Sequence, residues 1–427
     1  NPLLLSVNQY LMSFPTANKF KIINDPVYGF IRIKYEIIFH LIEHPLFQRL
    51  SRIRQLGMTH FVYPGANHTR FQHALGAMHL MDDAIETIRG KGHQITDEEA
   101  EAANIAILLH DIGHGPFSHT LEKTLIPDLH HEDISLMIME KLNEEFNGKL
   151  SMAIRIFKND YRKKFLHQLV TGQLDVDRLD YLRRDSFFTG VTEGSIGSDR
   201  IIKMLQVHDD QLVVEEKGIY SIENFLVARR LMYWQVYLHK GVLAGDQLLI
   251  MMLHRARDLA ASGEKLFVTP ALGYFLYGNG KTSTTENKTE FLAHFSELDD
   301  NDIISAAKVW SKYYDPVLRY LCSGFIHRKL FRVEIKNHPF NASRIRMERK
   351  KAAEALSIPY SLASILVISD SISNHAYSNI DEKIKIIGKD GSVRDITEVS
   401  EILNVSVLSR QIKKYYLCCP KIFQEQQ

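Results

Sequence analysis

The stretch Leu108-Leu-His-Asp-Ile-Gly-His-Gly-Pro-Phe-Ser-His119 sets three histidines and an aspartate beside two glycines, a composition that suits a metal site at the end of a helix. The residues before it predict that helix. From Thr96 to Leu109 the chain begins with Asp97, Glu98 and Glu99, which favour a helix N-terminus, and continues through Ala102, Ala103, Ile105, Ala106, Leu108 and Leu109. His110 and Asp111 therefore stand where a buried helix emerges. Neighbouring residues on a helix point about 100° apart, so both reach one ion only if it lies between their two directions. Gly113 and Gly115 are expected to turn the chain beyond them.

Two further segments carry related chemistry. Asn67-His-Thr-Arg-Phe-Gln-His73 opens a second helical pattern, with Ala74, Leu75, Ala77, Met78, Leu80 and Met81 at apolar positions, so His73 sits near a helix start. Gln173-Leu-Asp-Val-Asp-Arg-Leu-Asp-Tyr-Leu-Arg-Arg-Asp185 is dense in aspartate and arginine. Asp177, Tyr181 and Asp185 line one helix face, while Leu174, Leu179 and Leu182 can face a core. Taken alone, that span also reads as a solvated salt-bridge face.

Together these segments resemble the HD-domain metal-dependent phosphohydrolases, and more narrowly their deoxynucleoside triphosphate (dNTP) triphosphohydrolase branch. The resemblance runs from about Lys21 to Lys240. It rests on Asn24-Asp-Pro-Val-Tyr-Gly29, Phe47-Gln-Arg-Leu50, Gln55-Leu-Gly57, Tyr63-Pro-Gly-Ala66, Arg70-Phe-Gln-His73, His110 to His119, His131-Glu132, and Asp175-Val-Asp177 through Asp185, in that order. The resemblance implies metal ligands at His73, His110, Asp111 and Asp177 for one divalent ion. Mixed imidazole and carboxylate donors suit a first-row divalent ion with open positions, and such an ion lowers the pKa of bound water from about 16 to near 7. Manganese, iron, zinc, nickel and magnesium all stay open, because sequence fixes donor types and not geometry.

The resemblance also implies a substrate site. Arg70, Arg178 and Arg229 would grip a polyphosphate and Tyr181 would add a hydroxyl donor, with His114, His119 and His131 as acid-base or supporting groups and Glu132 orienting His131. Gln55 and Asp185 match residues that bind the sugar 3′-hydroxyl. Leu56 and Tyr237 match those that crowd the 2′ position, although on pattern alone both read as core residues. Leu238 and Tyr233 depart from the branch, which has Gln and His there, so base preference is open. Lys21, Arg200, Lys217 and Lys240 match basic residues of a nucleotide activator site, but Ser51 and Glu215 replace arginines and Glu43 replaces an aspartate; guanine-nucleotide activation is therefore not assumed, and a nucleotide activator stays an open partner. The activity implied is hydrolysis of dNTPs to deoxynucleoside and inorganic triphosphate, with a metal-activated water attacking the α-phosphorus. A nucleotidase or phosphodiesterase on another phosphate ester, or a nucleotide-sensing or nucleic-acid-binding regulator, are the alternatives. A homodimer or tetramer is a further implication.

The composition is that of a large enzyme with a substantial core: 427 residues, 45% hydrophobic and 24% charged. A formal charge of +1 gives no global basic field for nucleic acid. The basic cluster Arg344 to Lys351 reads as a solvated helix. Only Cys322, Cys418 and Cys419 occur, without zinc or disulfide spacing, which fits a reducing cytoplasm. Cys418 and Cys419 read as half-buried strand residues. No apolar run reaches the roughly 20 residues of a membrane span, and Asn1-Pro-Leu-Leu-Leu-Ser does not read as a signal peptide.

The expected fold is mainly α, an HD-domain helical core with a smaller α+β C-terminal lobe. The core takes residues 1–262, a loop or boundary 263–290, and the lobe 291–427, which is expected to serve oligomerisation or regulation. A β-hairpin is predicted within Ile201 to Tyr220, and one long helix over Ser221 to Ala260 carries Arg229 and Tyr237 on a shared face. Lys265 to Asn287 reads as loop; its Gly-Asn-Gly-Lys-Thr run lacks the earlier glycine of a phosphate-binding loop. Helices are predicted at Asp302–Leu321 and Ala342–Leu356. Strands are predicted at Leu330–Ile335 and Ser364–Ile368, with a hairpin at Lys383–Ile396.

Overall fold

The computed structural model describes residues 21–118, 124, 126, 129–278, 285–374, 377, 383–400 and 412–421. The readings made for Asn1 to Ser6, for His119 and for positions 279–284 of the Gly- and Thr-rich segment lie outside these residues. The chain is mainly helical with three small sheets among the described residues. Among the described residues no helix is long and apolar enough to cross a membrane.

Local signals set the two helices that open the core. Thr69 starts Arg70–Gly90 and Thr96 starts Asp97–Leu109, each in a reciprocal cap with the Gln72 or Glu99 side chain three residues on. These two helices pack against each other, and Val176–Thr189 crosses Arg70–Gly90 on another side. That crossing is close because residue 76 is glycine. A Cβ there would lie 2.1 Å from Asp180 Oδ1 and 2.2 Å from an Arg184 nitrogen. Leu174, Leu179 and Leu182 are buried, as the spacing predicts.

In front of the core, β1 (Lys21–Asp25) and β2 (Gly29–Ile33) form a hairpin absent from the sequence reading. Asp25 explains its position. One carboxylate oxygen accepts from Val27 and Tyr28 in the turn, and the other takes Arg184 Nη1 at 2.7 Å. The hairpin is thus fixed to the Val176–Thr189 helix by a buried charge pair.

The predicted hairpin is present in a narrower form, β3 (Leu205–His208) and β4 (Gln211–Glu215), because Ile201 to Met204 finish the helix Ser198–Met204. Asp209 and Asp210 make its turn at positive φ, a conformation aspartate tolerates better than most residues. This hairpin does not stand alone. β4 pairs in parallel with β7 (Lys385–Ile387), which pairs with β8 (Val393–Asp395), so strands from the middle of the chain and from its C-terminal part share one sheet. A second sheet, in the order β5 (Arg332–Lys336), β9 (Ile412–Cys419), β6 (Ile368–Asn374), buries free Cys418 and Cys419 on its central strand.

Four sequence expectations need correction. The single helix over Ser221 to Ala260 is two, Ile219–Met232 and Lys240–Ala261, joined by a π-helical turn at Tyr233–Tyr237 and a new cap in which His239 accepts from Gly241. The loop Lys265 to Asn287 contains the helix Pro270–Tyr277, capped by Thr269, and the start of Thr285–Glu297. Asp302 to Leu321 is split between Asp300–Trp310 and Pro316–Ile326, since Asp315 caps the second helix and Pro316 begins it. Ser364 to Leu366 is a 3-10 turn before β6 rather than a strand.

The loop after Leu109 is shaped from both sides. Gly113 is needed for close approach, since a Cβ there would lie 2.1 Å from the His131 carbonyl oxygen and 2.4 Å from Ser135 N. Gly113 and Gly115 take part in the turns, as the sequence predicts: His114 N donates to the Asp111 carbonyl across Gly113, and Ser118 N donates to the Gly115 carbonyl. The left-handed backbone, however, falls not on the glycines but on Phe117 and Ser118, at φ 51° and 56°. Left-handed backbone at such residues costs on the order of 1–3 kcal/mol each, so surrounding contacts must hold it. Arg49, fully buried, donates to the carbonyls of Ile112, His114 and Leu298 and lies 4.3 Å from the Phe295 ring centre. Asp300 accepts from Phe117 N at 2.7 Å and from Arg54 N at 3.1 Å. Residues near position 300 therefore clasp a loop near position 115.

Two outcomes test these constraints. Gly76→Ala is expected to lower the unfolding free energy by about 3 kcal/mol or more, the scale for breaking a buried ion pair; an unchanged denaturant midpoint would contradict the packing described. Burial pushes the Asp300 carboxyl up from 3.8 to about 6. As pH falls from about 6 to 4 the folded chain therefore takes up a proton there before the unfolded chain does, and stability supplied by this group rises. The stability difference between the unsubstituted protein and Asp300→Asn should shift toward the former over that window, measured by urea unfolding at stepped pH.

Candidate active site

Three helices deliver the central cluster. His73 comes from the first turns of Arg70–Gly90, His110 and Asp111 from the end of Asp97–Leu109, and Asp177 from the first turn of Val176–Thr189. His73 Nε2 lies 3.0 Å from Asp177 Oδ1 and 3.8 Å from Asp111 Oδ2. His110 Nε2 lies 3.3 Å from Asp111 Oδ1 and 3.5 Å from Asp177 Oδ1. All four expected ligand residues thus converge.

The outer nitrogens are already committed. His73 Nδ1 is 2.7 Å from Asp180 Oδ2 and His110 Nδ1 is 2.6 Å from the Ile107 carbonyl. Both Nε2 atoms are buried without a hydrogen-bond partner, despite their short distances to carboxylates. A ring whose Nδ1–H is tied down and whose Nε2 is bare faces the centre as a metal ligand does, so the residues present fit a divalent ion. Without the ion, the surrounding carboxylates favour a proton in its place, which a bound cation would displace. Burial opposes charge on every member, yet Asp177 and Asp180 outweigh it and hold His73 up to about 10, while His110 and His73 hold Asp177 far below the usual carboxylate range.

Asp180 is the residue that sequence reasoning missed here. Besides His73, it accepts from Arg184 Nε and Nη2 at 3.0 Å each, and all three residues are fully buried. Its signal was the spacing, one helical turn from Asp177. It was hidden among charges that resembled a surface face.

Beside the cluster, His114 Nε2 lies 3.3 Å from Asp111 Oδ1, and its ring stacks on His131 with centres 3.9 Å apart. His131 is half-buried at the start of the helix His131–Glu145. Glu132 is exposed, and no hydrogen bond joins it to His131 among the described residues. Arg70 pairs with Asp111 through Nη1 and donates through Nε to Ser118 Oγ at 2.8 Å.

A cleft of about 370 Å³ opens on this centre, within the range of small-molecule sites. Gln55, Leu56, Arg70, Arg178, Tyr181, Asp185, Arg229 and Tyr237 all line it, together with Asp177. Tyr233, Asp246 and Ser118 line it as well, which the sequence reading did not include. Arg229 is 8% exposed, and its Nε and Nη1 have no hydrogen-bond partner among the described residues. Arg178 is ion-paired to Asp175, leaving its buried Nε unpartnered. Tyr237 donates its hydroxyl to Asp185 Oδ2 at 2.7 Å, and the other oxygen of Asp185 is 2.7 Å from His68 Nε2.

Because Asp180 fixes the His73 ring from behind, Asp180→Ala is expected to weaken divalent-metal affinity about 10–100-fold, the scale for such supporting partners. Metal titration by calorimetry would reveal it; affinity within twofold of the unsubstituted protein would refute that role.

Comparison with known proteins agrees with this geometry. The family model described as HD domain matches residues 70–185, and the one described as HD associated region matches residues 196–262. A phosphohydrolase from Bacteroides thetaiotaomicron, known from a crystal structure, is 55% identical with a TM-score of 0.91, covering 94% of this chain and 100% of its own. An uncharacterized protein of Bacillus subtilis, YwfO, is 29% identical over 423 residues, 96% of this chain and 95% of its own. The deoxynucleoside triphosphate triphosphohydrolase SAMHD1 homolog of Dictyostelium discoideum is 33% identical over 239 residues, which are 52% of this chain and 46% of that relative. By its helical core, its convergent histidines and aspartates and this similarity, the chain belongs to the HD-domain phosphohydrolase family and carries the HD-associated region.

Proposed function

We propose that the protein hydrolyses deoxynucleoside triphosphates to deoxynucleoside and inorganic triphosphate. The observation that carries this reading is Arg229, a buried guanidinium with two unpartnered nitrogens lining the same cleft as Asp177. A buried cation without an acceptor is costly, and a polyphosphate supplies the oxygens it lacks. Arg178 offers a second cation from across the cleft. Arg70, already committed through Nε and Nη1, has Nη2 left for phosphate.

Held by His73, His110, Asp111 and Asp177, a divalent ion would supply Lewis-acid polarisation and a water that ionises near neutral pH. The chain's own groups do the rest. Water adds at the α-phosphorus, the bond from phosphorus to O5′ breaks, and the departing oxygen takes a proton, a transfer we assign to His114 and His131. Leu56 and the Tyr237 ring crowd the sugar's 2′ position and so favour deoxyribose, while Gln55 and Asp185 receive the 3′-hydroxyl.

Anion-exchange analysis of products from each dNTP, with Mn²⁺, Mg²⁺, Zn²⁺ or Ni²⁺ added singly, tests the reading. Triphosphate and deoxynucleoside are expected, abolished in Asp111→Ala and slowed about 10²–10³-fold in kcat/KM by Arg229→Ala, the scale for losing one anion-stabilising donor. Release of orthophosphate or pyrophosphate instead would indicate a different phosphoester hydrolase.

A further inference from the structure

We infer that His68 is the positioning residue for both Asp185 and Gln55, so that how strongly this cleft selects for a 3′-hydroxyl is set by a side chain that never touches the substrate. This rests on the dNTP reading of the cleft. His68 is 2% exposed and does not line the cleft itself. Its side chain and its backbone reach different residues that do.

The side chain holds Asp185. Nε2 lies 2.7 Å from Asp185 Oδ1, and since a carboxylate only accepts, Nε2 carries the hydrogen. The ring is clamped by stacking on Phe188, with centres 4.6 Å apart and planes 16° off parallel. Phe188 follows Asp185 by one turn of the same helix, so imidazole and carboxylate are locked in one frame. The preceding turn is pressed against that helix too: a Cβ at Gly65 would lie 2.4 Å from the Phe188 carbonyl oxygen. With Tyr237 on Oδ2, both carboxylate oxygens are fixed from the wall, and each keeps a lone pair for a ligand.

The backbone holds Gln55. The His68 carbonyl accepts from Gln55 N at 3.0 Å, the Ile53 carbonyl accepts from Arg70 N at 3.0 Å, and Arg54 pairs with Thr69 between them. Gln55 Oε1, buried at the cleft, has no hydrogen-bond partner among the described residues. An orphaned carbonyl oxygen in the same cleft lining as an acceptor-only carboxylate asks for a donor from the ligand. A hydroxyl supplies one, and on a deoxyribose the 3′-hydroxyl is available for it.

A site built to hydrogen-bond a substrate hydroxyl discriminates strongly against the analogue without it, because its buried polar groups are then left unpaired. The test compares a dNTP with the matching 2′,3′-dideoxynucleoside triphosphate in the full chain loaded with metal. The unsubstituted enzyme is expected to favour the dNTP in kcat/KM by about 10²-fold or more. His68→Leu, and His68→Phe, which keeps the stacked ring, remove the donor; both should cut that preference at least about tenfold, acting mainly on the dNTP. His68→Gln, which keeps an N–H, should retain most of it. A purely structural role would lower both substrates alike and leave the ratio unchanged, and that result overturns the inference. Equal turnover of both triphosphates by the unsubstituted enzyme also overturns it while leaving the dNTP reading intact, whereas no triphosphate turnover at all removes both.

Discussion

The candidate site depends on one crossing, where the helices Arg70–Gly90 and Val176–Thr189 come together over Gly76. At that point a buried chain of charges runs from Asp25 through Arg184 and Asp180 to His73. Each carboxylate in it is balanced by a cation or an imidazole, which makes such burial tolerable; removal of one member would leave its neighbour charged and alone in a low-dielectric interior. The chain does three things at once. It fixes the β1–β2 hairpin, it sets the spacing of two helices, and it orients the His73 ring with Nε2 facing Asp177.

The loop that follows His110 depends on contacts from elsewhere. Its left-handed residues Phe117 and Ser118 are strained by local standards. Relief comes from Arg49 and Asp300, which use the loop's carbonyls and an N–H, and from Ser118, which accepts from Arg70 and donates to the Arg54 carbonyl. The shape of the family's most recognisable motif is therefore stabilised by an aspartate far along the chain. The shared sheet of β3, β4, β7 and β8 ties the C-terminal strands to the core in the same manner.

Legibility in the sequence followed the range of the forces involved. Capping pairs such as Thr96 with Glu99 act over three residues, so helix starts were readable; the π turn at Tyr233–Tyr237 and the break at His239 have no comparable local mark, and one long helix was expected where there are two. Arg229 and Tyr237 nevertheless line one cleft, because both sides of the break pack around it. Cys418 and Cys419 were read as strand residues, and the structure buries them further, on a central strand between two neighbours. Glu132, assigned by the family resemblance to orient His131, is exposed.

What the sequence determined by itself was the inventory: a helical chain, a family resemblance, and a set of imidazoles, carboxylates and guanidiniums at recognisable spacing. Tertiary structure decided which of these are left unsatisfied. Arg70 and Arg178 are largely spent on Asp111 and Asp175, whereas Arg229 Nε and Nη1, Gln55 Oε1 and the two histidine Nε2 atoms are buried without hydrogen-bond partners among the described residues. Whether a polar atom is satisfied depends on residues far away in the chain and close in space, and it is the unsatisfied ones that a ligand can stabilise.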